Sequence, residues 1–466
     1  MNKSNYPLVS IITVNFNGLK FLKDLFNSIA NLEYPHERLQ IIMVDNNSTD
    51  NSCDYVKKNF PFVNVLKLKR NYGYSGGNNE GFKQARGDFI ALINNDCVVG
   101  KNWLRELVNT AIECKDFKNF GAACSKVLFY YSYIPLEFSS DKTGLKISNL
   151  KINSKSPNDR SLNNSLNENI KFLKGFFPGS KVKNGGESYL TVENNSILAV
   201  PVENKESGFT LKFDIVSEFD SVKLDIFIIN PDGGKNKKIE KIYNCILKKG
   251  SKKVSISFDE KVKMYLKDII NSCGLEINKG FYARDRGFNS FDDSKFENIE
   301  EIFSPSGSSV LINRALLEDV GYFDDDFFTY YEDIDLFWRA RLKGWRIYFT
   351  PLSVARHYHC GTGKEWSYSF TYHVLRNRLI AIFKNGWWFL FFKNYFLFFI
   401  SVIAGISRYI FGIFKGKIVG RPDIPIRIRI FFELFYWLSK KLFKRFKIRN
   451  GNIVKDGEIK KWIRKF

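Results

Sequence analysis

Paired cysteines, a leader segment and acidic charge are what this sequence has least of. Its seven Cys (53, 97, 114, 124, 245, 273 and 360) form no Cys-x-x-Cys pair and are odd in number. That excludes a zinc ribbon or a disulfide scaffold and points to reduced thiols in a cytoplasmic setting. The first residues, MNKSNYPLVSIITVNFNG, lack the apolar core of a signal peptide and read directly as a first strand. Asp and Glu total 49 against 71 Lys and Arg, a formal charge of +22. Such a balance calls for an anionic partner: nucleic acid, an acidic membrane surface or phosphorylated ligands. The longest uncharged run of the aromatic-rich tail, 394–407, is too short for a comfortable membrane-spanning helix.

What is present is organised in three parts. Over 1–138, buried strand signals alternate with helical ones: Leu8–Val14, Gln40–Val44, Val63–Leu68 and Phe89–Ile93. Without strict polar alternation, such strands predict a parallel sheet covered on both faces. Ligands of such sheets sit at the carboxyl ends of the strands, where polar clusters fall at 15–18, 45–50 and 94–96. Residues 139–170 are rich in Ser, Asn and Lys and read as a linker or an ordered loop. From about 187 to 258 the period becomes two (Phe209, Leu211, Phe213, Ile215), which predicts an inserted antiparallel β-sandwich. The expected divisions are therefore 1–138 with 281–383, an insert at 139–280, and a tail at 384–466. The tail holds 19 Lys or Arg against 4 acids, and 426–448 interleaves cations with Ile, Phe, Leu and Trp. That is the composition of an amphipathic helix lying on an anionic membrane surface.

Residues 330–341, Tyr-Tyr-Glu-Asp-Ile-Asp-Leu-Phe-Trp-Arg-Ala-Arg, set three acids among residues that seek burial. Carboxylates against apolar walls have raised pKa values or need a cation, as a general base or a metal site does. The plainer alternative is the first turn of a buried helix, with the acids facing its dipole. Asp335 has the i,i+4 spacing to pair with Arg339. The Gly-rich stretch 73–81 is neither a phosphate-binding Walker A loop nor a Gly-x-Gly-x-x-Gly turn.

Ordered motifs then carry a resemblance. Val9–Asn17, Val44–Asp50, Asn71-Tyr72-Gly73-Tyr74-Ser75-Gly76-Gly77-Asn78-Asn79 and Asn94-Asn95-Asp96 resemble the family-two inverting glycosyltransferases, most of all the rhamnosyltransferase-type branch. Val320–Asp324, Glu332-Asp333, Pro351, His357 and Arg376-Asn377-Arg378 match downstream. The resemblance implies an A-type α/β fold with a Rossmann-like nucleotide-binding domain. It implies donor contacts at Asn15, Asn17, Asp45, Asn71, Gly76, Gly77, Asn78, Asn94 and Asn95, with the glycines letting backbone approach the nucleotide. It further implies a divalent metal, Mg²⁺ or Mn²⁺, at Asp96 and His357. Asp333 would be the catalytic base, and Glu332 would orient it. Tyr331 and Trp338 are candidates to stack on sugars, with core packing favoured for Trp338; His359 and His373 read as ordinary interfacial histidines.

The function implied is transfer from a nucleotide sugar, dTDP-rhamnose or a UDP-sugar, to a saccharide or lipid-linked saccharide. Its place would be surface polysaccharide assembly on the cytoplasmic face of the cell membrane. A polyprenyl-phosphate acceptor is the alternative within the class. A processive synthase is disfavoured, since neither Gln (40 and 84) lies in a Gln-x-x-Arg-Trp motif. Nucleic-acid binding is disfavoured because the tail cations alternate with bulky aliphatics and form no polar groove.

Overall fold

The computed structural model describes residues 6–113, 119–154, 166–178, 189–203, 208–232, 235–358, 367–414 and 423–466. His359 lies outside these. The chain divides into two compact units. The first comprises 1–127, 272–286 and 298–466; the second comprises 128–271 and 287–297. The insert thus begins about ten residues before the expected boundary, and the tail belongs to the first unit.

In the first unit the β-branched run Val9–Asn15 (β1) pairs in parallel with Leu39–Asp45 (β2), which pairs with Val63–Lys67 (β3). On its other side β1 pairs in parallel with Phe89–Ile93 (β4). Strand Ser309–Asn313 then runs antiparallel to β4 and to Phe120–Phe129 (β6), making the sheet mixed. Further strands at Glu300–Glu301 and Arg346–His357 complete the path, and short Cys97–Val99 (β5) pairs with the latter. Helices Leu19–Ala30 (α1), Ser52–Asn59 (α2), Gly73–Gln84 (α3) and Trp103–Glu113 (α4) connect the strands. Leu22, Leu25 and Phe26 of α1 join Ile11, Met43 and Trp103 in one core.

The Gly-rich segment, expected as an open backbone loop, is instead a helix. A Cβ on Gly77 would lie 2.7 Å from Val14 Cγ1, and one on Gly81 would lie 2.7 Å from Ile12 Cγ2. These glycines let α3 press onto the sheet, so close packing, not loop flexibility, explains them.

The second unit is all β. Its strands follow the order Lys235–Leu247, Val222–Asp232, Ser132–Ser140, Leu190–Val202, Leu145–Ser154, Gly208–Ser217 and Gly250–Asp259. Lys171–Pro178 also pairs with Leu190–Val202. The predicted alternation holds: Phe209, Leu211, Phe213 and Ile215 are buried between outward-facing neighbours. Two separate sheets were expected, whereas hydrogen bonding is continuous. Leu190–Val202 meets Leu145–Ile147 through its first residues and Ser132–Phe138 through its last. Its halves therefore serve two wings of one core, where Phe138 and Phe213 approach to 5.8 Å. Part of the expected linker is also corrected: Leu145–Ser154 is a strand whose Leu145, Ile147 and Ile152 are buried. Residues 155–165 lie outside the described residues.

The tail forms two long helices, Trp388–Phe414 and Ile424–Asn450. Trp388–Phe411 is long and apolar enough to cross a membrane, with a third of its most apolar window buried in the protein. This corrects the run-length estimate, which Lys393 interrupted although the helix continues through it. The Ile424–Asn450 helix buries Ile426, Ile430 and Leu434 while exposing Phe432, Phe435, Phe443 and Phe446. Several tail cations are internal rather than displayed. Lys441 reaches Asp324 at 2.6 Å, and Lys384 reaches Asp324 at 2.7 Å and Asp335 at 2.9 Å. Burial would raise the Asp324 pKa, but Lys384, Lys441 and Lys444 outweigh it and hold the carboxylate well below its ordinary range.

Candidate active site

The parallel register places Asn15 opposite Asp45 at the carboxyl ends of β1 and β2. Asn15 Nδ2 donates to Asp45 Oδ1 and to Ser48 Oγ, both at 3.1 Å, while Asn95 Nδ2 donates to Asn15 Oδ1 at 2.8 Å. Ser48 N donates to Asp45 Oδ2 at 2.9 Å, and Asn17 Oδ1 accepts from Thr49 N at 2.8 Å. Three predicted residues from three loops thus form one buried polar network, with Asn17 at its rim. Asn94 Oδ1 is buried and has no hydrogen-bond partner among the described residues. Asn71 Oδ1 accepts from Gly73 N at 2.8 Å, at the start of α3. Gly76 packs on Tyr72, and Asn78 Nδ2 donates to Tyr74 O one helical turn back. The close approaches to Gly76 and Gly77 and the amide bond of Asn78 are therefore made within the fold.

Asp96 and His357 meet because Cys97 and His357 are partners in the antiparallel ladder. His357 Nε2 lies 3.1 Å from Asp96 Oδ1, and Asp96, Cys97 and His357 group within 4.8 Å. Burial would lower the His357 pKa, but the adjacent Asp96 carboxylate, helped by Asp285, raises it overall. Cys97, adjacent in sequence to Asp96, was not anticipated. Burial pushes its thiol well above the usual range, and its Sγ lies 3.8 Å from Ser308 O. The carboxylate of Asp96 and the imidazole of His357 are the hard and borderline donors of this group. Those donors fit Mn²⁺ and, with fewer nitrogen contacts, Mg²⁺.

Glu332 and Asp333 open the Glu332–Leu342 helix. The approach to it is strained: Phe328, Tyr330 and Tyr331 all have left-handed φ, at 64°, 66° and 69°. The Arg376-Asn377-Arg378 motif holds that loop. Asn377 Nδ2 donates to the carbonyls of Phe327, Thr329 and Tyr330 at 2.9, 2.9 and 2.7 Å. Arg376 Nη2 donates to Asp326 O at 2.7 Å, and Arg378 Nη1 donates to Asn394 Oδ1 at 2.9 Å.

The two acids differ in state. Glu332 is buried with Oε2 unpartnered among the described residues; burial and the neighbouring Asp333 charge push its pKa well above the ordinary value. Asp333 is half-buried, and burial raises it to about 6, with Asp285 adding to the shift. The Ile334 amide at 2.7 Å and the Gly307 amide at 3.4 Å oppose the rise. Both acids are thus held above the ordinary carboxylate range, and Asp333 gains basicity over an exposed aspartate. Asp285, unmarked in the sequence, acts on both Asp333 and His357.

Asp335 is fully buried and pairs with Arg339 at 3.2 Å, as its spacing predicted. Trp338 stacks on Phe281 at 4.3 Å, inside the core. Tyr331 is buried as well, its hydroxyl donating to Phe281 O and accepting from Ala283 N. It therefore presents no face for sugar stacking.

Residues 10–124 match the family model described as Glycosyl transferase family 2, and 281–378 match Glycosyltransferase like family 2. Two segments of the chain, on either side of the all-β unit, thus each match a family-two glycosyltransferase model. Over 100 residues the chain is 31% identical to TarS of Staphylococcus aureus Mu50, a poly(ribitol-phosphate) beta-N-acetylglucosaminyltransferase, covering 21% of this chain and 18% of TarS. It is 26% identical over 110 residues to TuaG of Bacillus subtilis 168, a putative teichuronic acid biosynthesis glycosyltransferase, covering 23% and 41% respectively. The matched stretches thus span less than half the length of these relatives. Among solved structures, a mannosyltransferase of Pyrobaculum calidifontis in complex with GDP-Man and Mn²⁺ aligns over 82% of this chain and 64% of its own, at 12% identity and a TM-score of 0.37.

Proposed function

We propose that the chain is an inverting glycosyltransferase that moves a sugar from a nucleotide-sugar donor to a saccharide or lipid-linked saccharide in surface polysaccharide assembly. The observation that carries this reading is the placement of Glu332 and Asp333 at the start of their helix, with Asp333 half-buried behind a left-handed loop that Asn377 holds by its carbonyls. In this reading Asp333 accepts the proton of an acceptor hydroxyl as that oxygen bonds the donor's anomeric carbon. The bond from that carbon to the diphosphate breaks on the opposite face, and configuration inverts. Asp45, Asn15 and Asn95 bind and orient the nucleoside end at the strand termini. Asp96 and His357 would hold a divalent cation, which would supply positive charge against the departing diphosphate. Glu332, buried beside Asp333 and raised by that burial, orients the base.

The names of TarS and TuaG support a cell-envelope polymer as the acceptor class, and the motif resemblance supports dTDP-rhamnose or a UDP-sugar as donor. The exposed aromatic face of the tail supports a site of action at the cytoplasmic membrane surface. A polyprenyl-phosphate acceptor is the second reading, favoured by the length of the apolar Trp388–Phe411 helix. The test is a donor-hydrolysis screen of UDP-, dTDP- and GDP-sugars with Mg²⁺ or Mn²⁺, followed by NMR of the product. A product that retains the donor's anomeric configuration, or no donor turnover that depends on Asp333, refutes the reading.

A further inference from the structure

A cavity of about 680 Å³ lies where the Tyr368–Asn385 and Ile424–Asn450 helices meet Phe328, and none of the proposed donor-binding or metal-binding residues, nor Glu332 or Asp333, lines it. Its volume falls within the ~300–1,000 Å³ of small-molecule sites. We propose that this cavity binds a saccharide ring of the acceptor, stacked on aromatic walls and hydrogen-bonded by an Arg–Glu pair. The inference rests on the glycosyltransferase reading and adds to it the place and chemistry of acceptor recognition.

The walls suit a ring with one apolar face and several hydroxyls. Tyr368, Tyr372, Tyr436 and Trp437 supply aromatic faces, and Arg429 and Glu433 supply planar donors and acceptors. Those polar groups are already set in position. Arg429 Nε donates to Glu433 Oε1 at 2.7 Å, and its guanidinium lies 4.5 Å over the Tyr372 ring. Arg376 lies 4.8 Å over Trp437. Trp437 itself is half-buried and forms part of the wall. His373, stacked on Phe328 at 5.5 Å, is driven down to about 4 by burial and by Arg376 and Arg429. The charged lining therefore consists of two arginines and one glutamate, which suits neutral or acidic sugars and disfavours cationic ones.

Phe328 ties the cavity to the chemistry. Its ring forms one wall, its carbonyl accepts from Ser75 N at 3.1 Å at the start of α3, and it lies five residues before Asp333. Tyr436, 61% exposed, contributes little to the core, so folding does not account for its place in the wall.

The test uses the full chain in lipid nanodiscs and saturation-transfer NMR with the methyl glycosides of glucose, galactose, N-acetylglucosamine, rhamnose and glucuronic acid. Decyl phosphate serves as a lipid-chain probe, and UDP and dTDP titrations run in parallel. At least one glycoside should bind, and Tyr436→Ala and Trp437→Phe should each weaken it about 3–10-fold with nucleotide affinity unchanged. Tyr436→Ala keeps the test sound if the Trp437 variant folds poorly. Binding by none of the glycosides, binding unmoved by Tyr436→Ala, or binding of decyl phosphate alone overturns the proposal. Glycoside binding without nucleotide binding would instead count against the donor site and leave the cavity assignment standing.

Discussion

Replacing Asp333 with Asn should make the protein more stable above pH 6 and nearly inactive. Burial raises this carboxyl from 3.8 to about 6, so folding favours its protonated form. A raised acid stabilises the fold fully below its unfolded pKa, and that contribution is lost as pH rises through the folded value. The shift of about two units corresponds to about 3 kcal/mol, all of it forfeited at pH 8, where the native state must carry the ion. Asparagine removes that penalty. It keeps an oxygen for the Ile334 amide at 2.7 Å but loses an acceptor for the weak 3.4 Å contact from Gly307, a loss of about 1 kcal/mol. The net gain at pH 8 should be about 1–2 kcal/mol, a rise in Tm of a few degrees, vanishing by pH 4. Turnover should fall about 10²–10⁴-fold with donor affinity nearly unchanged, because the amide cannot take a proton. In the parent, turnover should climb with pH through about 6 as Asp333 ionises. Thermal denaturation at pH 4 and 8, beside pH–rate profiles, checks all three. An Asn variant that is less stable at pH 8, or one with wild-type turnover, refutes the reasoning.

Four further outcomes follow from the same geometry. Asp96→Asn and His357→Ala should weaken Mn²⁺-dependent donor binding by at least the ~10–100-fold that a supporting residue of a metal site is worth, read by titration with and without the ion. Asn377→Ala strips three carbonyls of their donor beneath a left-handed loop and should cost about 2–4 kcal/mol in denaturant unfolding, with kcat falling in the folded fraction. Lys441→Met leaves Asp324 with one buried cation fewer and should cost about 3 kcal/mol; an unchanged denaturation midpoint would show the pair is dispensable. High salt should release only part of the protein from anionic liposomes, because screening does not remove inserted aromatics, and complete release would show that the tail helices do not insert.

The strands that set the site were readable because each is a β-branched run ending in Asn or Asp, and parallel pairing carries those ends to one edge. Other features were hidden for definable reasons. Glycines at 77 and 81 signal a loop by propensity, yet tertiary contact with Val14 and Ile12 makes their lack of a side chain a helix-packing device. Leu145–Ser154 reads as linker because Lys146, Asn149 and Lys151 dilute its apolar residues, and Asn149 sits at φ 53°, interrupting the period. Asp285 stands between Arg284 and Arg286, a setting that suggests a solvated charge cluster, and only the fold brings it near Asp333 and His357. Asn377 carried a motif match without a role, because its work is to hold carbonyls some fifty residues away.

The tail shows why charge counting and helix patterning had to be read together. Nineteen cations among 83 residues suggest a surface that faces phosphate, yet Lys384, Lys441 and Arg445 are buried. Lys384 bonds Asp335, two residues beyond Asp333, as well as Asp324, and Lys441 bonds Asp324. Arg445 donates to Gly386 O at 2.9 Å, fastening the last helix to the turn before Trp388. The same Ile424–Asn450 helix that turns Phe432, Phe435 and Phe443 outward thus turns its inner cations onto Asp324 and Asp326, just before Glu332 and Asp333. A helix with only a membrane role would have no reason to bury Lys441, since desolvating an ammonium costs several kcal/mol that only a fixed carboxylate partner offsets. The tail is therefore part of the first unit's fold as well as its exposed aromatic surface, and cutting the chain at 383 would remove both.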